Sequence, residues 1–246
     1  MRLSTSQDAC GHMIYDHFHG TSTVEIVERD DGLIMAGRMD AAHYLSEFDD
    51  WPEWDREAAK HVHGRVLDIG CGGGRWCLYF QQKGHDVLGI DVSPLAVKTC
   101  KERGIRKARV LPITQVSRRL GEFDTILMMG NNFGLFGSRK RAKWLLPRLR
   151  NMTGKNGLII AQSLDPYATS DKLHLDYHRR NRKRGRMSGQ LRFRIRYRNY
   201  KTPFFDYLLV SRKEMEELLE GTGWRIERII ESNAASYTAV IRKTEE

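Results

Sequence analysis

The sequence predicts a doubly wound α/β fold around a mostly parallel seven-stranded sheet whose last strand is antiparallel. Three observations predict it. From residue 65 onward, short apolar runs of strand character alternate with amphipathic helical stretches. The first run, Val66-Leu-Asp-Ile69, leads directly into the turn Gly70-Cys-Gly-Gly-Gly74 and then a helix. The chain closes on two strands joined by a short loop.

Each core element has its own signal. A strand over 65–69 is followed by a helix over 75–83, and a second strand over 86–91 ends in Asp91. Ser93-Pro94 starts the next helix, with serine as N-cap and proline at the first helical position, and Leu95, Val97 and Cys100 form its apolar stripe. Ala108 to Leu111 is a weak third strand and Phe123 to Met129 a strong fourth one. A basic amphipathic helix over 138–152 is interrupted by Pro147. Gly157 to Ala161 is the fifth strand, and residues 164–210 break the alternation. Ser211 to Gly221 resumes as a helix with a serine cap, Glu214 at the capping-box position and a glycine stop. Trp224–Ile230 and Ser236–Arg242 are the last two strands.

A strand, a glycine turn and a helix N-terminus make a cradle of backbone N–H groups, and a carboxylate ending the second strand is placed for ribose hydroxyls. A dinucleotide loop needs Gly-x-Gly-x-x-Gly, but the third position is Arg75 counting from Gly70 and Cys77 counting from Gly72. What stands here is Asp68-x-Gly70-x-Gly72-x-Gly74. In this the chain resembles the class I S-adenosylmethionine-dependent methyltransferases of small-molecule type, over about residues 65–163 and 205–242. The resemblance implies a Rossmann-like sheet with an antiparallel finish and S-adenosylmethionine as cofactor. It implies that Gly70, Cys71, Gly72 and Gly74 let the backbone approach the cofactor, with Asp68 near its aminoacyl end. Asp91, with Val92 beside it, would hold the ribose. A cationic sulfonium tolerates acids in the loop that a pyrophosphate would not.

Two stretches complete the implied pocket. Met129-Gly-Asn-Asn-Phe-Gly134 follows the fourth strand, where ligands bind in an open α/β sheet, and looks like the loop of small-molecule N-methyltransferases. Gly130 and Asn131 are cofactor candidates and Asn132 a substrate candidate; asparagine also caps turns of positive φ. After the third strand the family often places an acid on the adenine, but Leu111-Pro-Ile-Thr-Gln115 has none, so Ile113 or Thr114 would serve.

The 246 residues suffice for one α/β domain with additions, and no apolar run reaches the roughly 18 residues that span a bilayer. Met1 to Asp8 lacks an apolar signal core, and Cys10, Cys71, Cys77 and Cys100 show no C-x-x-C spacing, so a cytoplasmic protein with reduced thiols is expected. The expected division is a covering element over 1–64, the core over 65–163 and 205–246, and a basic lid over 164–204.

Charge is unevenly spread. Residues 172–201 hold twelve Lys/Arg against Asp176 alone, whereas residues 1–64 hold thirteen acids and five bases, within a total of +10. Leu191 to Tyr200 alternates strictly: Leu191, Phe193, Ile195 and Tyr197 on one face, and Arg192, Arg194, Arg196 and Arg198 on the other. Such a strand could offer Arg192, Arg194 and Arg196 to an anionic acceptor or to RNA. The competing reading pairs the arginines with N-terminal acids such as Asp49, Asp50, Glu53, Asp55 and Glu57, within the fold or across a homodimer.

In the first 64 residues, Thr23–Val27 and Leu33–Met35 read as a hairpin around Asp30-Asp-Gly32, and Met39 to His61 as mostly helical. Cys10-x-His12-x4-His17-x-His19 fits no zinc pattern and reads as a covering helix, so no metal is expected. An amine acceptor needs a proton acceptor, for which Tyr15, His17, His174, Tyr177 and His178 are candidates. The expected function is methyl transfer to N or O of a small, anionic metabolite, without a membrane partner. The alternatives are an RNA methyltransferase using the basic lid and a non-catalytic S-adenosylmethionine-binding protein.

Overall fold

The computed structural model describes residues 3–37, 41–232 and 235–244. Along the chain they form α1 (Ala9–Phe18), β1 (Ile26–Arg29), β2 (Ile34–Ala36), α2 (Ala41–Leu45) and α3 (Glu53–Ala59). Then come β3 (Val66–Ile69), α4 (Arg75–Gln82), β4 (Val87–Asp91), α5 (Pro94–Glu102), β5 (Ala108–Val110) and β6 (Phe123–Met128). They are followed by α6 (Arg139–Arg150), β7 (Thr153–Leu164), α7 (Lys172–Lys183), β8 (Gln190–Tyr197) and β9 (Tyr200–Lys201). The chain ends with β10 (Phe205–Leu208), α8 (Arg212–Leu219), β11 (Trp224–Glu231) and β12 (Ser236–Lys243).

The larger sheet has seven strands in the order β11-β12-β7-β6-β3-β4-β5. The pairs β3–β4, β4–β5 and β6–β7 are parallel, while β12 runs antiparallel to both β7 and β11. The Rossmann-like expectation and its antiparallel finish are therefore both met. The caps read from sequence form: Ser93 Oγ accepts from Ala96 N at 2.9 Å, and Ser211 and Glu214 make the reciprocal capping box.

The residues fall into two compact units. One comprises Met1–Pro52, Arg65–Gln115 and Arg192–Phe205; the other comprises Glu53–Gly64, Val116–Leu191 and Asp206–Glu246. In the first, β1 and β2 form the expected hairpin, with Val27 opposite Met35 and Gly32 at φ +89° in the turn. β8 pairs antiparallel with β1 and places Arg194 directly opposite Glu28. Phe48, Trp51, Trp76, Tyr79 and Phe80 form an aromatic cluster, with the Arg75 guanidinium 4.9 Å from the Trp51 ring.

Three expectations need correction. The helix expected from Met39 to His61 is divided: Met39 lies outside the described residues, and α2, a 3₁₀ turn at Phe48–Asp50 and α3 follow. Trp51 is extended (ψ 143°) because Pro52 follows it. The fifth strand is longer than 157–161, since β7 runs unbroken from Thr153. The stretch after Asp171, read as a charge run, is the helix α7, whose first turn is capped by Asp171 Oδ1 on Leu173 N at 2.8 Å.

One buried acid ties the N-terminal segment to this unit. Asp8 is 1% exposed; its Oδ1 accepts from Gly11 N at 3.2 Å and its Oδ2 from Leu95 N at 2.9 Å. It thus caps α1 and α5 with a single carboxylate. A Cβ on Gly11 would stand 2.2 Å from Ser93 Oγ, which shows how closely the helices approach. Asp8→Ala is expected to cost about 2–3 kcal/mol, one cap on each helix, read as a lower urea midpoint with unchanged m.

Candidate functional site

The glycine turn is built from backbone hydrogen bonds. Gly70 N and Cys71 N both donate to Ile90 O, at 2.8 and 3.1 Å, so the turn is clamped to the end of β4. Gly74 N returns to Cys71 O at 2.8 Å, and Gly74, at φ +81°, occupies the N-cap of α4 without supplying a side-chain cap. The first turn of α4 therefore offers N–H groups to a ligand.

Asp91 organises the same turn. Its Oδ2 accepts from Gly72 N at 3.0 Å and its Oδ1 from Ser93 N at 2.9 Å. The Val92 N–H also favours the charged carboxylate, which has about four acceptor positions and so keeps capacity for a ligand hydroxyl. Burial raises the Asp91 pKa, opposed by the Ser93 and Gly72 bonds.

The N-terminal helices close over the turn. A Cβ on Gly72 would lie 2.9 Å from Tyr44 Cδ1, and one on Gly73 would meet Leu45 Cδ2 at 2.5 Å and Ile14 Cγ2 at 3.3 Å. Arg103 fastens this cover: its Nη1 donates to Gly73 O at 2.6 Å and its Nη2 to Leu45 O at 2.7 Å. The Tyr44 hydroxyl donates to Glu25 Oε1 at 3.3 Å, and Glu25 is 6% exposed. Sequence reading missed Glu25, Tyr44 and Arg103, because their hydrogen-bond partners lie 19 to 58 positions away in the chain. His12, weighed in sequence only as part of a Cys/His pattern, stacks its ring on Tyr200 at 3.5 Å, and its Nε2 is buried without a hydrogen-bond partner among the described residues.

Asp68 lies beneath the turn on β3, 3% exposed, accepting from Cys77 Sγ at 3.2 Å. Burial pushes its pKa up to about 7. The folded protein then binds a proton that the unfolded chain has released, so Asp68's contribution to stability is full below about pH 4 and lost as pH rises through about 7. Asp68→Asn is expected to reduce the fall in stability across that window, checked by urea unfolding of both proteins at several pH values.

The other expected cofactor residues divide between the units. Val92 and Thr114 belong with the turn, Val92 being half-exposed and Thr114 lying in the 3₁₀ turn Ile113–Gln115. Gly130, Asn131 and Asn132 belong to the other unit. Asn131 is at φ +64° and heads a 3₁₀ helix; its N–H donates to Gln162 Oε1 at 3.2 Å and its carbonyl accepts from the Tyr207 hydroxyl at 2.7 Å. Its Oδ1 is buried without a partner among the described residues, while Asn132 Oδ1 lies 3.4 Å from the Tyr207 hydroxyl. Asn131 thus has both a structural role in the turn and a side-chain oxygen open to a ligand donor.

The proton-acceptor candidates are likewise split. The Tyr15 hydroxyl accepts from Lys98 Nζ at 3.0 Å, and His17 Nδ1 stands 3.5 Å from Thr23 Oγ1. His174, Tyr177 and His178 lie on α7 in the second unit, with His174 Nε2 3.9 Å from Asp171 Oδ2 and His178 buried. The arginine stripe is internally paired. Arg194 grips Glu28 with two nitrogens at 2.7 and 3.0 Å, Arg196 reaches the same carboxylate at 3.0 Å, and Arg198 pairs with Asp16 at 3.0 Å. The acids are N-terminal as the competing reading expects, but they are Glu28 and Asp16, selected by strand register. Arg192 lies half-buried on the same strand.

Comparison with known proteins bears on this geometry. Residues 66–157, which span the glycine turn and Asp91, match the family described as a methyltransferase domain. Over this segment the chain is similar to methyltransferase domains. The chain is 38% identical over 72 residues to the 2-heptyl-1-hydroxyquinolin-4(1H)-one methyltransferase of Mycobacteroides abscessus, covering 27% of this chain and 32% of that protein. It is 33% identical over 84 residues to the ubiquinone biosynthesis O-methyltransferase of Bordetella avium, covering 31% of this chain and 35% of that one. The matches span about a third of the length of these curated relatives. A solved methyltransferase from Bacteroides fragilis, in complex with S-adenosyl-L-homocysteine, shares the fold beyond the core, with a TM-score of 0.84 at 24% identity over 100% of this chain and 98% of that one.

The carboxylates around the glycine turn fit a cation. Asp68 and Asp91 flank the glycines, and Glu25 is joined to them through Tyr44. A pyrophosphate among these carboxylates would meet like charge, whereas a sulfonium would meet opposite charge.

Proposed function

We propose that the chain is an S-adenosylmethionine-dependent methyltransferase acting on nitrogen or oxygen of a small acceptor. The observation that carries this reading is the glycine turn hydrogen-bonded at Gly72 to Asp91, with the buried Asp68 on the strand that leads into it. Asp91 would take the ribose on its remaining acceptor capacity, the backbone of Gly70, Cys71, Gly72 and Gly74 would approach the cofactor, and Asp68 would face its aminoacyl end. When bound, S-adenosylmethionine supplies a methyl group on a positively charged sulfur, which is already electrophilic. The protein's task is then to hold the acceptor lone pair in line with that methyl, exclude water and accept a proton where the acceptor is an amine.

A small acceptor is supported by the names of the two relatives, a hydroxyquinolinone methyltransferase and an O-methyltransferase of ubiquinone biosynthesis. Because Glu28 holds both Arg194 and Arg196 and Asp16 holds Arg198, most of the stripe's charge is already engaged, which supports an acceptor defined by its size and nucleophilic atom rather than by negative charge. A second reading, an RNA acceptor, is favoured by α7, where Lys172, Arg182, Lys183 and Arg184 are exposed. Incubation with methyl-labelled S-adenosylmethionine and a fractionated cell extract tests both. Label in the small-molecule fraction is expected; label in RNA selects the second reading, and no transfer to any fraction contradicts a catalytic role.

A further inference from the structure

We propose that Glu25 supplies the unneutralised negative charge by which this site distinguishes its sulfonium cofactor from the uncharged thioether product. The inference rests on the methyltransferase reading and deepens it. It begins from how the buried acids of this unit are satisfied. Asp8 receives two backbone N–H groups, from Gly11 and Leu95. Asp91 receives backbone N–H groups from Gly72 and Ser93, with a further contribution from Val92. Asp68 has the Cys77 thiol and the nearby Arg75 charge. Glu25 is buried too, yet among the described residues its carboxylate takes a single hydrogen bond, the 3.3 Å one from the Tyr44 hydroxyl.

A buried carboxylate with one long hydrogen bond is costly while it is ionised, and burial accordingly raises the Glu25 pKa. The cost falls when a positive charge is brought beside it. Position supports such an arrival: the Tyr44 ring that bonds Glu25 lies against Gly72, and the Cys10 thiol on α1 is within electrostatic reach of both Glu25 and Asp91. Glu25 therefore belongs to the neighbourhood of the glycine turn, contributed by the N-terminal hairpin segment.

The ligand chemistry selects this residue. A sulfonium carries charge but no N–H or O–H, so it is held by Coulomb attraction and not by hydrogen bonds. Its best partner is a carboxylate whose charge is not already spread over donors, and that describes Glu25 better than Asp8 or Asp91. Loss of the methyl group removes the positive charge, the attraction disappears, and the product is released more readily than the cofactor.

The test is calorimetric titration of S-adenosylmethionine and of S-adenosylhomocysteine into wild type and Glu25→Gln. The two ligands share ribose, adenine and amino acid, and differ at the sulfur. Glu25→Gln is expected to weaken S-adenosylmethionine binding by about tenfold while changing S-adenosylhomocysteine by less than about twofold. Retained S-adenosylhomocysteine binding also shows that the variant is folded. Equal weakening of both ligands, as from contact with the shared ribose or ammonium, overturns the proposal, and so does unchanged binding of both. A wild-type protein that binds neither ligand removes the methyltransferase reading itself.

Discussion

Asp91→Ala is expected to lose at least about tenfold in S-adenosylmethionine affinity, and more if the turn relaxes. Hydrogen bonds to a charged group are worth about 1.5–3 kcal/mol, and alanine removes the acceptors proposed for the ribose. It also leaves Gly72 N and Ser93 N without the carboxylate they now share, at 3.0 and 2.9 Å. The cradle then loses both its ligand contact and the brace that sets its shape. Asp91→Asn should fall between wild type and alanine, because its single carbonyl oxygen cannot replace both carboxylate oxygens. Calorimetry of the three proteins against S-adenosylhomocysteine checks the order, and equal affinities would remove Asp91 from the site.

Gly74→Ala is expected to destabilise the fold by about 2–5 kcal/mol. Gly74 holds φ +81°, where an L-residue is strained by about 1–2 kcal/mol. The added methyl would also stand 2.2 Å from Ile105 Cδ1 and 2.9 Å from Cys100 Sγ, both in the core. Overpacking of this kind costs about 1–3 kcal/mol more. Gly84→Ala is the control for φ alone, since Gly84 has φ +90° and nothing within 4 Å of its missing Cβ. Urea unfolding should rank wild type, Gly84→Ala and Gly74→Ala in falling stability. Equal losses in the two variants would show that crowding at Cys100 and Ile105 contributes nothing.

The glycine turn and Asp91 were legible in the sequence because they are local and chemically exacting. Glycines at 70, 72 and 74 all adopt positive φ, a requirement that restricts the residue type, and Asp91 ends a strand whose apolar pattern is plain. The parallel strands β3, β4 and β6 were legible for a related reason, since buried parallel strands are nearly continuous apolar runs. Asp8, Glu25, Tyr44 and Arg103 were not, because each acts on residues distant in the chain. Arg103 to Leu45 O, for example, joins positions 58 apart. α7 escaped notice because its exposed face is so charged that the few inward residues, Tyr177, His178 and Asn181, do not form an apolar stripe. The arginine stripe was read correctly as a strand, but a single sequence holds no information on register, so Glu28 and Asp16 could not be chosen from thirteen N-terminal acids.

The central claim is that this glycine turn takes a sulfonium nucleoside and not a dinucleotide. Titration of the wild-type protein with S-adenosylmethionine, S-adenosylhomocysteine and NAD by calorimetry tests it most directly. The account predicts binding of the first two with dissociation constants on the order of micromolar and no measurable heat from NAD. Binding of NAD in preference to both, or of none of the three, would contradict it.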